Sequence, residues 1–276
     1  MSWKNIVTIA QKDWIEVRQN KAASMPMLVL PLVFIVILPA ILLGSIQFVP
    51  GGADTMLNDP DMAGFMNKLP GFINAQIAGF NDVQSGIFLM LGYFFAPFFL
   101  MLPLMFATIV ASESFAGEYE RKTIEALLYT PASDAELFLG KVLAAGVPSL
   151  LITWGSFVLY GVVVNSLGWP IMQRIWFPIP TWWVLIFWVA PAISLLGISF
   201  TVLISARTRT FMGAYQSSAS LVIVVLGLLV GQATGLLYLS VGIGLLIGLV
   251  LWLIAAGLTY LAVKGFNRTR LLAAGD

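Results

Sequence analysis

Six stretches of the chain, 25–48, 86–110, 142–165, 182–204, 211–230 and 239–263, each run for twenty residues or more without one Asp, Glu, Lys or Arg. About 20 apolar residues carry an α-helix across the hydrocarbon core of a bilayer. In that medium a helix also satisfies every backbone polar group within its own segment. The pattern predicts an all-α integral membrane protein of six transmembrane helices, folded as one unit over 1–276. Composition agrees: 59% of residues are hydrophobic and 10% charged, against about a quarter charged in soluble proteins.

The charges between the stretches set an orientation. Lys4, Lys12, Arg18, Lys21, Arg121, Lys122, Lys141, Arg207, Arg209, Lys264, Arg268 and Arg270 fall on one side, and Lys68 and Arg174 on the other. Positive residues stay inside, which predicts a multi-pass protein of the inner (plasma) membrane with both termini cytoplasmic. The first residues lack the apolar core of a cleavable signal and are expected to remain. A net charge of +1 offers nucleic acid no basic surface. With no Cys and no His, the chain lacks thiolate nucleophiles, disulfides, zinc sites and imidazole acid–base chemistry. No catalytic or metal-ligating residue is assigned. The apolar stretches also lack the midplane Asp, Glu or His by which ion-driven pumps bind their coupling ion. Gly140-Lys141 is followed by Val142 and has no upstream glycine, so it does not make a phosphate-binding loop. No cofactor is expected in this chain.

Segment 113–141 holds nine charged residues between the second and third stretches. From 117 to 129 it reads as a short helix, with Glu118 and Lys122 four apart and an apolar stripe of Ile124, Leu127 and Leu128. Thr130-Pro131 ends that helix. Ser133 and Glu136 form a capping box that starts another, leading through Leu137, Phe138 and Leu139 to Lys141 at the membrane boundary. A solvated loop needs neither a stripe nor a capped restart; a docking element for a soluble partner uses both.

Glu113, Phe115, Ala116, Glu118, Glu120, Arg121, Lys122, Thr123, Leu127, Leu128, Pro131, Ser133, Leu139, Gly140 and Lys141 together resemble the cytoplasmic signature of ABC-2 type exporter permeases. There an E-x-E-[RK]-x-T segment, a short helix, a Pro and a Gly-Lys follow the second span. The position before Thr123 is usually Gly in that pattern and is Lys122 here. The resemblance implies a type V exporter-like fold in which this helix couples the membrane bundle to a separate ATPase. Glu118, Tyr119, Glu120, Arg121, Lys122, Thr123, Glu125, Leu127 and Leu128 are then the ATPase-coupling residues. It also implies two cytoplasmic ABC ATPase subunits that hold ATP and Mg, and a second permease copy, as homodimer or paralogous heterodimer.

Elsewhere the signals are local. Trp3, Ile6, Val7, Ala10, Trp14 and Val17 recur at helical spacing while Lys4, Gln11, Lys12 and Arg18 fall on other faces, predicting an amphipathic interfacial helix over 2–22 with Ser2 as N-cap. External segment 47–85 carries Met62, Phe65, Met66 and Leu69 on one helical face, then Ile73, Ile77 and Phe80 on a second, read as two short helices that form an exit lid or cap the bundle. Trp169, Trp176, Trp182 and Trp183 read as an aromatic belt. Pro191 is a possible kink in the fourth span. Arg207 and Arg209 read as a secondary cytoplasmic contact, for membrane lipids first and a partner second. Gly244 and Gly248 make a small-xxx-small pair.

Among polar residues inside the spans, Gln216, Ser217, Ser218 and Ser220 cluster most, either lining a translocation path or packing a helix interface. An uncharged interior rich in Phe and Met suits a lipid, an apolar drug or an amphipathic peptide. The expected function is an ATP-driven export permease. The alternatives are a sodium-type efflux permease of the same family, a channel or a secondary carrier. A membrane-embedded enzyme would lack an evident base.

Overall fold

The computed structural model describes residues 2–53, 58, 69–123, 132–208, 210–234 and 237–265. Helix α1 (Trp3–Gln19) is followed by α2 (Lys21–Phe48), the short α3 (Gly71–Ile77), α4 (Asp82–Glu120), α5 (Asp134–Met172), α6 (Pro180–Thr208), α7 (Phe211–Ala233) and α8 (Val241–Gly265). All but α1 and α3 are long and apolar enough to cross a membrane. Among the described residues there is no strand. The fold is the expected all-α bundle of six membrane helices.

α4 and α6 form the centre, with α4 packed against α5, α6 and α7, and α6 against α8 as well. α2, α7 and α8 present most of their apolar surface outward. The small-residue pair of α8 receives α6: a Cβ on Gly248 would lie 2.2 Å from Trp188 Cδ1, and one on Gly244 3.1 Å from Val184 Cγ1. At Gly248 the approach leaves no room for a side chain, and at Gly244 it is tight.

Three of the spans contain π-helical turns beside prolines: Leu32–Ile37 between Pro31 and Pro39, Phe88–Phe94 ahead of Pro97, and Leu185–Val189 ahead of Pro191. Proline has no N–H for the carbonyl four residues back, so the ladder loosens there and that carbonyl needs another donor. In α4 the replacements come from three helices. Tyr160 Oη donates to Leu91 O at 2.7 Å, Trp182 Nε1 to Gly92 O at 2.6 Å, and Gln232 Nε2 to Tyr93 O at 2.6 Å. This corrects the aromatic-belt reading for two of its four members. Trp182 and Trp176 are buried, in a cluster where Trp182 stacks on Tyr160 at 5.2 Å, whereas Trp169 and Trp183 are exposed. Asn165 staples the turn after α5 through Phe177, accepting from its N–H at 3.3 Å and donating to its carbonyl at 2.8 Å. Of the external segment, Ile73 on α3 is buried and Arg174 lies 4.0 Å from the centroid of the Phe80 ring. Met62, Phe65 and Met66 lie outside the described residues.

Candidate functional site

At the bundle end where α1 lies, α4 and α5 run well past the apolar stretches that predict them, α4 through a π turn at Glu113–Gly117 to Glu120. A span read by absence of charge stops at its first charge. Here the charges are inside the fold, paired.

Lys141 on α5 is the central cation, with its Nζ 2.6 Å from Glu118 Oε2 on α4 and 3.3 Å from Asp13 Oδ2 on α1. It also donates to the carbonyl of Ser114 and lies 5.3 Å from the centroid of the Phe115 ring. Lys141, Glu118 and Asp13 are each about 1% exposed. Lys12 extends the network, 2.5 Å from Glu118 Oε1 and 3.1 Å from Glu16. Arg121 bridges Glu113 to Glu16, and Asn20 Nδ2 donates to Glu113 Oε2 at 2.8 Å. Four carboxylates and three cations from α1, α4 and α5 thus close one cluster. Asp13, Glu16 and Glu118 approach within 4.8 Å of one another, and the ammonium groups of Lys12 and Lys141 supply the opposing charge that permits it. Burial works against the charge on Lys12, but Glu118, Asp13 and Glu16 outweigh it and hold its ammonium above the ordinary lysine range.

The residue before Lys141 sets the distance between helices. A Cβ on Gly140 would lie 2.8 Å from Ile9 Cβ and 3.1 Å from Ile6 O, so α1 rests directly on the backbone of α5. Gly140-Lys141 therefore does two jobs: the glycine admits α1 and the lysine binds it. A second tie lies at Glu136, which completes the predicted capping box with Ser133, accepts from Asn5 Nδ2 at 3.3 Å and accepts from the N–H of Ser2. Ser2 makes no side-chain cap, contrary to expectation; its backbone is engaged by Glu136 instead.

The predicted helix over 117–129 is corrected in its described part. Residues 118–120 are the last turn of α4, and the helix ends there: Lys122 N–H donates to Tyr119 O at 3.1 Å, Thr123 N–H to Glu118 O at 3.0 Å, and Lys122 has φ 56°. That is a Schellman terminator with lysine where glycine is usual, which gives a backbone reason for the glycine of the wider pattern. The expected Glu118–Lys122 pair does not form, because Lys122 has left the helix and Glu118 is taken by Lys12 and Lys141. Glu120 Oε2 accepts from the N–H of Phe211 at 2.8 Å and so holds the start of α7, where a carboxylate is favoured. Tyr119 is half-buried, and Lys122 and Thr123 are exposed. Glu125, Leu127, Leu128 and Arg209 lie outside the described residues. Arg207 is exposed in the last turn of α6.

The polar cluster on α7 sits where that helix loosens, with i→i−3 hydrogen bonds from Ser220 and Leu221. Ser218 is buried and accepts from Thr201 Oγ1 of α6 at 2.9 Å, packing an interface. Gln216 and Ser220 are exposed, and Ser217 lies between. Lys141, Asp13, Lys12, Glu16 and Glu113 are the charged cluster residues missing from the predicted coupling set, although Glu113 and Lys141 belong to the signature. Asp13 carried a signal: at 6, 13 and 17 it shares the buried stripe of α1 with Ile6 and Val17.

A family profile described as "ABC-2 family transporter protein" matches residues 7–245. No curated protein and no solved structure matches the chain.

Proposed function

The chain belongs to the ABC-2 transporter family, and from that premise we propose that it is the permease of an ATP-driven exporter moving a lipid, an apolar drug or an amphipathic peptide. The family makes it a multi-pass membrane permease that works with an ABC ATPase subunit and is not itself the nucleotide-binding subunit. In our reading two such permeases, alike or paralogous, stand on two ATPase subunits that take ATP and Mg. Both termini face the cytoplasm of the inner membrane, as the twelve-to-two distribution of Lys and Arg supports.

The observation that carries the coupling step is the buried cluster around Lys141. Helix α4 ends at the Thr123 terminator and α5 begins at the Ser133–Glu136 box, and stretch 124–131 joins them in sequence. Closure of the ATPase pair pushes on that stretch. The ionic cluster passes the push to α1, α4 and α5 as one body, and Glu120 passes it to α7. The differential contact that biases inward-facing against outward-facing states lies there. Glu125, Leu127, Leu128, Lys122 and Thr123 supply the docking surface in this reading; Arg207 and Arg209 add a secondary contact. Gln216 and Ser220, exposed on α7, are the path-lining candidates that remain open to cargo.

The test is the permease–ATPase complex in vesicles. Glu125→Lys combined with Leu128→Asp is expected to release the ATPase on purification and abolish ATP-dependent export while leaving the melting of the permease unchanged. Transport by this chain without an ATPase would overturn the reading. ATPase stimulation by sodium alone, with no lipid or drug, would replace it with the ion-efflux alternative.

A further inference from the structure

α1 crosses the first apolar turns of α5 and leaves an open groove of about 330 Å³ between them. Trp3 and Trp14 line it from α1, Leu143, Val147 and Pro148 from α5, and Gln11 lies at its polar edge. Its wall on α5, Leu143 to Pro148, belongs to the start of the charge-free stretch 142–165 read as membrane-crossing. The groove therefore opens into the upper acyl-chain layer. A soluble peptide or protein would have to cross the headgroups to reach it, whereas lipid is already there.

The charge beside the groove is also specific. Of the ionic residues on α1, Lys12, Asp13 and Glu16 are consumed by the buried cluster. Lys4 and Arg18 are exposed, and neither makes an ion pair with any described residue. They stand seven residues before and after Gln11, on the same helical face and two turns to either side. An apolar groove flanked by Trp, with two unneutralised cations at its water side, is complementary to an anionic amphiphile.

We propose that this groove is a binding site for an anionic phospholipid, with one acyl chain against Leu143 and Val147 and the phosphate at Gln11 between Lys4 and Arg18. The bound lipid fills the gap between α1 and α5, beside the contact that Lys141 makes with Asp13. The proposal requires only that the chain lie in a membrane, so it stands or falls separately from the exporter reading.

The test uses the full-length chain, delipidated in detergent and offered phosphatidylglycerol or phosphatidylcholine of matched acyl chains, with retained lipid read by native mass spectrometry. Phosphatidylglycerol should be preferred by roughly fivefold for each cation. The double variant Lys4→Gln, Arg18→Gln should lower that preference to parity while keeping acyl binding. Val147→Trp, at a half-exposed wall position, should reduce retention of both lipids, with circular-dichroism melting as the control for folding. Equal retention of both lipids by the wild type, an unchanged preference in the double variant, or undiminished binding to Val147→Trp would each overturn the proposal.

Discussion

The Lys141 ammonium lies 2.6 Å from the Glu118 carboxylate, with neither side chain in contact with bulk water. The two residues sit on different membrane helices, and the third partner, Asp13, on α1. A buried charge without a counter-charge is costly, so the three can be buried only together. Seating of α1 and packing of the α4 and α5 ends are therefore one event.

Lys141→Met should destabilise the protein by about 3–5 kcal/mol, because Glu118 and Asp13 then lose their shared cation inside the fold. Thermal unfolding in detergent checks it. Adding Glu118→Gln to Lys141→Met should recover part of the loss, and a double variant less stable than the single one would refute the pairing.

Gly140→Val should unseat α1. Its Cβ alone would stand 2.8 Å from Ile9, and overpacking of this kind costs about 1–3 kcal/mol. Hydrogen exchange of the α1 amides should speed up while that of α6 stays as in the wild type. Pairing the change with Ile9→Gly, which removes the Cβ that the new side chain meets, should slow α1 exchange again in part.

Lys122→Gly should raise stability, by about 1 kcal/mol, since a residue with a Cβ is strained at φ 56° and glycine is not. A fall in melting temperature would mean that the lysine side chain contributes more than its backbone costs. Coupled ATPase activity of the complex, measured alongside, separates a docking role of that side chain from a purely local one.

Gln232→Leu should cost between about 0.6 and 2 kcal/mol, because Pro97 has no N–H to offer Tyr93 O and the replacement donor is gone. Trp182→Phe removes the neighbouring bond to Gly92 O and should behave alike. Chemical denaturation of the two variants in one micelle system tests both. No loss in either would show that the loosened turn finds other donors.

The membrane helices were legible because a bilayer imposes one demand on every segment that crosses it. Twenty uncharged residues suffice to meet that demand, and 86–110 and 142–165 were found on that ground alone. The same criterion truncated both helices, since Glu113, Glu118 and Lys141 look like loop charges until their partners are known. The tryptophans misled for a related reason. Trp182 and Trp183 are neighbours with one interfacial preference, and only the carbonyl of Gly92 decides which turns inward. Gly140-Lys141 and Lys122-Thr123 were recognisable as parts of a pattern, but their jobs, close approach and helix termination, depend on a helix more than a hundred residues away and on one dihedral angle.

From the sequence alone come the membrane class, the six spans, the capped start of α5 and the family, because each rests on local composition or on residues a few positions apart. The ionic cluster, the donors to the loosened turn of α4 and the groove beneath α1 were decided only in three dimensions. Each pairs groups from different helices, and the free energy of a buried charge or an unbonded carbonyl is set by what the fold brings beside it.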